Sequence, residues 1–170
     1  SFPTRRSSDL LNQDADGDVI ISQLAAAAAR GVAVQVLLED SVTDNAARVS
    51  ALSAQGVTAR LDKSARYTHA KLAVSDGAQA LFGSTNLSSQ SMRRNNEANL
   101  LLTDAKLAGW FQRYAQKLMA DPTTTPEHEP IEDELGIALQ DGDYLARASA
   151  LIDGAQHQIA LVVYGMNADM

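Results

Sequence analysis

Cysteine is missing from all 170 residues, so neither disulfides nor thiolate metal sites are available to this fold. Basic residues are scarce: 14 Lys and Arg stand against 21 Asp and Glu, a formal charge of −7. That balance disfavours bulk attraction to nucleic acid or to an anionic membrane, because neutralising phosphates takes clustered cations. No stretch approaches the ~18 uninterrupted apolar residues of a membrane-spanning helix, and the first residues lack the apolar core of a signal peptide. What the chain does have is a hydrophobic content of 45%. At this length that suffices for one ordinary domain with a core, or for one domain and part of another.

Residues 1–10, S-F-P-T-R-R-S-S-D-L, show no hydrophobic periodicity and read as an artefactual tail; they resemble the translation of a DNA-sequencing adapter. Residues 11–120 have the rhythm of a domain that is incomplete at its N-terminal end. An alanine-rich helix is expected over Val19–Arg30, stopped by Gly31 in the left-handed C′ position, with a buried strand over Val32–Leu38. The pattern repeats as a helix over Asp44–Gln55, a stop at Gly56 and a strand over Val57–Leu61. Helices alternating with strands predict an α/β fold, a mixed β-sheet sandwiched by helices.

After Arg66 the rhythm becomes strand, turn, strand. His69–Ser75 and Gln79–Phe82 are joined through Asp76-Gly77, a dipeptide biased toward tight hairpin turns. Gly83–Arg94 reads as a polar loop and Asn96–Leu102 as a further strand. Asp104 is placed to cap a helix whose Leu107, Trp110, Phe111, Tyr114 and Leu118 fall at spacings of three and four, one apolar face for docking. Residues 121–134 hold three prolines among threonines and acids and read as an extended linker. Residues 135–170 read as the opening of a second half, a helix over Tyr144–Gln156 and a buried-type strand over Gln158–Tyr164. One helix and one strand make no core of their own, so this strand is expected to dock by exchange on the first sheet.

Asn12–Gln23, N-Q-D-A-D-G-D-V-I-I-S-Q, has acids at alternate positions and a glycine sixth, the outline of a calcium-binding loop. Asn12 opens it in place of Asp, and Gln23 closes it with an amide that cannot serve as a bidentate carboxylate. The alternative is an acidic loop whose Asp18 favours the positive end of the following helix.

The chemistry-bearing residues gather in one stretch, Tyr67–Leu102, Y-T-H-A-K-L-A-V-S-D-G-A-Q-A-L-F-G-S-T-N-L-S-S-Q-S-M-R-R-N-N-E-A-N-L-L-L. Strand alternation puts His69 and Lys71 on one face, an imidazole beside an ammonium. The hairpin returns to Gly83, Ser84, Thr85 and Asn86, where a small residue permits close backbone approach and polar side chains can meet a ligand. Glu97, on the next strand, is placed to accept a proton from a histidine Nδ1 and fix its tautomer. Taken singly, His69 reads equally well as a strand histidine, Lys71 as a solvated charge, Asn86 as a turn former and Glu97 as an edge carboxylate. Taken together, an imidazole so oriented and flanked by cationic and amide donors suits attack on phosphorus. Arg60, Lys63 and Arg66 form either a local positive rim or an ordinary solvated strand end. His128 and His157 have no such company and are expected in solvent.

His69-x-Lys71, then Asp76 after four residues, then Gly83-Ser84-x-Asn86 after six more, resembles the signature of the phospholipase D superfamily. Glu97 falls where that family places the glutamate that orients the histidine, and the tract is similar to the bacterial phospholipase and cardiolipin-synthase-like branch. The resemblance implies a phosphodiesterase or phosphatidyltransferase acting through a phosphohistidine, without metal or cofactor. One histidine attacks phosphorus while a second protonates the leaving oxygen. His69 would be one of that pair. Lys71 and Asn86, assisted by Ser84, would bind the non-bridging oxygens, while Asp76 and Gly83 would be structural. The implied partner is a phosphodiester, a phospholipid before a nucleic acid. The family builds its site from two such halves, and this chain carries one complete motif. The resemblance therefore implies a fragment, inactive alone, whose second half comes from further C-terminal sequence or from a homodimer partner. The other readings are a nuclease of the same superfamily, a catalytically silent interaction module and a calcium-binding module.

Overall fold

The computed structural model describes residues 15–126, 131–133, 136–138 and 143–158. The tail at 1–10, the first residues of the calcium-like loop, His128 and residues 159–164 of the expected last strand lie outside them.

Helix α1 (Ala15–Ala29) starts with Asp16 and Asp18 in its first turn, at the positive end of the backbone dipole. It stops at Gly31, where φ is +88°. There Gly31 N–H donates to Ala28 O at 2.9 Å and Val32 N–H to Ala27 O at 3.1 Å, the paired bonds of a Schellman stop. Closing the helix in this way uses the Val32 amide, so strand β1 runs over Gln35–Glu39, three residues later than the apolar run alone suggests. Helix α2 (Asn45–Ser53) ends alike at Gly56, φ +82°, with Val57 N–H on Leu52 O at 3.2 Å, and strand β2 begins at Thr58 and runs to Asp62. β1 and β2 pair in parallel, Glu39 opposite Asp62. Ile21, Leu38, Leu52 and Val57 form the core beneath them.

A second, antiparallel sheet has the order β3 (Leu72–Ser75), β4 (Gln79–Gly83), β5 (Asn99–Leu102). Asp76 and Gly77 both carry positive φ, 54° and 65°, the backbone that a tight mirror-image turn between β3 and β4 demands. Asp104 Oδ1 accepts from Leu107 N–H at 2.7 Å and so caps helix α4 (Ala105–Ala120). Its Leu107 and Trp110 are buried, with Leu102, Phe111 and Tyr114 packed on them. Phe82 of β4 meets Phe111 at a ring separation of 4.8 Å, and α4 also contacts β1 and β2, so this helix spans both sheets. The class is therefore α/β, small sheets flanked by helices, with parallel and antiparallel pairing in separate sheets. Further on, β6 (Ile131–Asp133) and β7 (Gly136–Ala138) form a hairpin against α4, followed by α5 (Asp143–Asp153).

Three local expectations change. The polar stretch after Gly83 contains a short helix, α3 (Ser89–Arg94), because the Ser88 side chain accepts from Ser91 N–H and supplies its N-cap. The strand carrying the histidine starts at Leu72, although Gly83 N–H still reaches Lys71 O at 3.3 Å. Glu97 lies two residues ahead of β5 rather than on a strand.

Candidate active site

His69 precedes β3 on a segment held by side chains instead of a ladder. The N–H of Thr68 donates to Glu39 Oε2 at 2.7 Å and its hydroxyl donates to Asp62 Oδ2. Lys71 Nζ donates to the carbonyl of His69 at 2.6 Å, which draws the ammonium back along its own segment. His69, Thr68 and Arg66 form one wall of a cavity of about 260 Å³ whose other wall is Trp110, Phe111 and Tyr114 of α4. Partial burial, and secondarily the charge of Lys71, push the His69 imidazole below its ordinary 6.5. At neutral pH the imidazole is therefore neutral. Burial also lowers Lys71, while the carboxylate of Glu97 pulls the other way.

The opposite side of the site is built from the hairpin return. Gly83 runs so close to β5 that a Cβ there would lie 2.4 Å from Ala98 O and 2.7 Å from Asn99 Cα, which explains glycine at this motif position. Ser84 Oγ donates to Glu97 Oε2 at 2.5 Å and accepts from Ala98 N–H at 3.1 Å. Thr85 and Asn99 exchange two bonds, 3.3 and 2.7 Å. Asn86 donates its backbone N–H to Ser91 Oγ at 2.9 Å, while its side-chain Oδ1 is buried without a partner among the described residues.

Glu97 has partners other than the expected one. Its Oε2 is taken by Ser84, and its Oε1 by Ser91 at 2.5 Å and Asn95 at 3.1 Å; among the described residues no hydrogen bond joins it to the His69 ring. Ser84 first and Ser91 second hold its carboxyl below the ordinary range, with Asn95 and the Lys71 charge adding to the same effect. His69, Lys71, Ser84 and Glu97 are thus one electrostatic cluster drawn from three separate stretches of chain, with Asn86 tied to it through Ser91. Asp76 and Gly77 sit apart at the hairpin tip, where Gly77 packs against Gln112 of α4.

Several residues that shape the site carry no sequence motif. Glu39 and Asp62 are the buried last residues of β1 and β2, and a carboxylate directly after a leucine at a strand's end is the signal that points to them. Ser91 is legible only as the third residue after a capping serine. Arg60 is not part of a positive rim, because its Nη1 donates to Met119 O at 2.8 Å near the C-terminal end of α4. His157 is exposed.

The calcium alternative does not survive the geometry. From residue 15 onward the segment is helical, Asp16 is bound by Arg93 and Asp18 by Arg48 at 3.2 Å, so these carboxylates cannot wrap a cation as a loop does. Arg93, with Ser89 after it, draws the Asp16 carboxyl down to about 2. No described helix is long and apolar enough to cross a membrane.

Known proteins resemble this chain at the level of family and fold. Residues 5–119 match the family model described as cardiolipin synthase, PLD-like domain. A mitochondrial cardiolipin hydrolase of Chlamydomonas reinhardtii is 33% identical over 90 residues, 52% of this chain and 40% of that protein. One of Xenopus tropicalis is 38% identical over 79 residues, 46% of this chain and 37% of that protein. The match thus spans about two fifths of the length of these curated relatives. Among solved structures, Nuc of Salmonella typhimurium, a phospholipase D family member, superposes with a TM-score of 0.51 at 26% identity, covering 58% of this chain and 67% of that one. The chain belongs to the phospholipase D-like family of the cardiolipin synthase type.

Proposed function

We propose that this chain supplies one of two halves of an active site that cleaves or transfers phosphodiesters of phospholipids through a phosphohistidine. The observation that carries this is the convergence of His69, Lys71, Ser84 and Glu97 in one cluster, with Asn86 joined to it through Ser91. Neutral His69 has the lone pair needed to attack phosphorus, forming a P–N bond as the P–O bond to the leaving alcohol breaks. The leaving oxygen takes its proton from a second histidine, supplied by the other half of the site, and water or an alcohol then displaces His69. In this reading Lys71 and the amide of Asn86 stabilise the charge that develops on the non-bridging oxygens. Ser84 holds the Glu97 carboxyl below its ordinary range, and the carboxylate in turn opposes the lowering of Lys71 by burial. The other half comes from a second copy of this chain or from further sequence of the same protein. Family membership and the cardiolipin hydrolases among its relatives support a phospholipid as substrate.

The test is chemical trapping. Incubation with 32P-labelled cardiolipin, quenched in alkali, is expected to leave label on His69, and the His69→Asn variant to carry none. Label that persists in His69→Asn, or lipid turnover with no label at any time, overturns the proposal. Label from a 32P-labelled oligonucleotide in place of cardiolipin would move the substrate to nucleic acid.

A further inference from the structure

Ser91 touches both Glu97 and the loop that carries Asn86, yet stands outside the motif. It lies in the first turn of α3, 2% exposed, with its own N–H on the Ser88 hydroxyl at 3.2 Å. Its hydroxyl donates to Glu97 Oε1 at 2.5 Å and accepts from the N–H of Asn86 at 2.9 Å. A hydroxyl has one proton to give, and an amide N–H can only donate, so the direction of both bonds is settled by chemistry. One buried atom therefore ties the carboxylate ahead of β5 to the loop that carries Asn86.

We propose that Ser91 is a positioning residue of the phosphoryl-transfer site, orienting the Glu97 carboxylate toward Lys71 while fixing the backbone from which the Asn86 amide projects. The proposal builds on the function given above. Its physical content, the hold of Ser91 on Glu97, can be measured without turnover. Ser91 is carried on a braced element: Ser88 caps α3, and Arg93 grips Asp16 of α1 through two bonds of 2.5 Å. The same Oε1 also receives Asn95 Nδ2 at 3.1 Å, and Asn95 Oδ1 is held by Gln90 at 3.0 Å. Removing the serine hydroxyl thus leaves the carboxylate a weaker, differently directed donor, and the expected effect is reorientation without collapse.

The experiment is a 13C NMR titration of the Glu97 side-chain carboxyl, assigned by its loss in Glu97→Gln, in the wild-type chain and in Ser91→Ala, Ser91→Cys and Ser91→Thr. Ser91→Ala and the volume-preserving Ser91→Cys are expected to move the carboxyl pKa up toward its ordinary value, and Ser91→Thr, which keeps a hydroxyl, to restore the low one. Ser88→Ala serves as a control that weakens α3 without touching Glu97. An unshifted Glu97 in folded Ser91→Cys, or an equal shift in Ser88→Ala, overturns the proposal. With labelled cardiolipin, Ser91→Ala is expected to lose about tenfold or more in kcat with KM little changed. A wild-type protein that never turns over defeats the function proposed above, while the titration still decides Ser91.

Discussion

The backbone N–H of Thr68 rests on the carboxylate of Glu39 at 2.7 Å, and its hydroxyl on Asp62, so the residue before His69 is gripped by the last residues of two neighbouring strands. Glu39 and Asp62 face each other across the parallel pair, 8% and 2% exposed. Two adjacent buried carboxylates are tolerable only with donors, and they have them. Ser41 N–H reaches Glu39 Oε1 at 3.0 Å and Ser64 N–H reaches Asp62 Oδ1 at 2.9 Å, with Thr68 serving the remaining oxygens.

Thr68→Val keeps the shape and removes the hydroxyl, leaving the Oδ2 of buried Asp62 short of a donor. The expected loss is about 1–3 kcal/mol, the range for a buried acceptor left unsatisfied. Thr68→Ser is expected to stay close to wild type. Urea unfolding of the three proteins reads this directly, and equal midpoints would contradict the clamp.

Gly83→Ala places a methyl group against Ala98 O and Asn99 Cα, both backbone, so relief requires β4 and β5 to separate. A loss of roughly 1–3 kcal/mol follows, with faster amide exchange along β5. Gly31→Ala meets nothing within 4 Å and suffers only from its φ of +88°, a penalty of about 1 kcal/mol. Denaturant midpoints of the two variants should rank in that order.

The parts of this fold legible in the sequence are those governed by neighbours along the chain. Gly31 and Gly56 announce their helix stops because no other residue adopts their φ as readily, Asp76-Gly77 announces the hairpin, and Asp104 its cap. The motif likewise names His69, Lys71, Ser84, Asn86 and Glu97 by spacing. What the sequence hides is set by contacts distant along the chain. Helix α3 has six residues and no apolar period, and is braced by Arg93 on Asp16, 77 positions away. The strand expected to carry His69 starts late, at Leu72, because Glu39, 29 positions back from Thr68, takes the Thr68 amide. Glu97 turns to Ser84 and Ser91 because α3 brings a hydroxyl to it, which a loop would not.

Asp16 and Asp18 carry the acidic spacing of a calcium loop on a helix, each bound to an arginine. Titrating the protein with calcium in a calorimeter is expected to give no saturable heat and no shift in Tm. Asp16→Asn is expected to weaken the tie between α1 and α3 only slightly, since Arg93 is 70% exposed and salt screens such pairs. A saturable calcium signal abolished by Asp16→Asn would reverse this assignment.

The pH dependence separates His69 from Glu97. Burial, then Lys71, holds the imidazole below 6.5 in the fold, so between that lowered value and 6.5 the unfolded chain binds more protons than the native one. The associated stability is fully present above 6.5 and is lost as pH falls through the folded value. Glu97 behaves in the same sense at lower pH: Ser84 and Ser91 hold its carboxyl below 4.5, and its contribution, present above 4.5, is lost as pH falls through the folded value. His69→Gln should therefore flatten the upper part of the acid-side decline, Glu97→Gln the lower part, each leaving the other intact. Urea midpoints measured from about pH 3 to about pH 8 decide this. The rate of His69 labelling adds a second reading, because attack requires the neutral imidazole and its acid limb must lie below 6.5. A labelling limb above 6.5 would mean that a group other than His69 is the base being titrated.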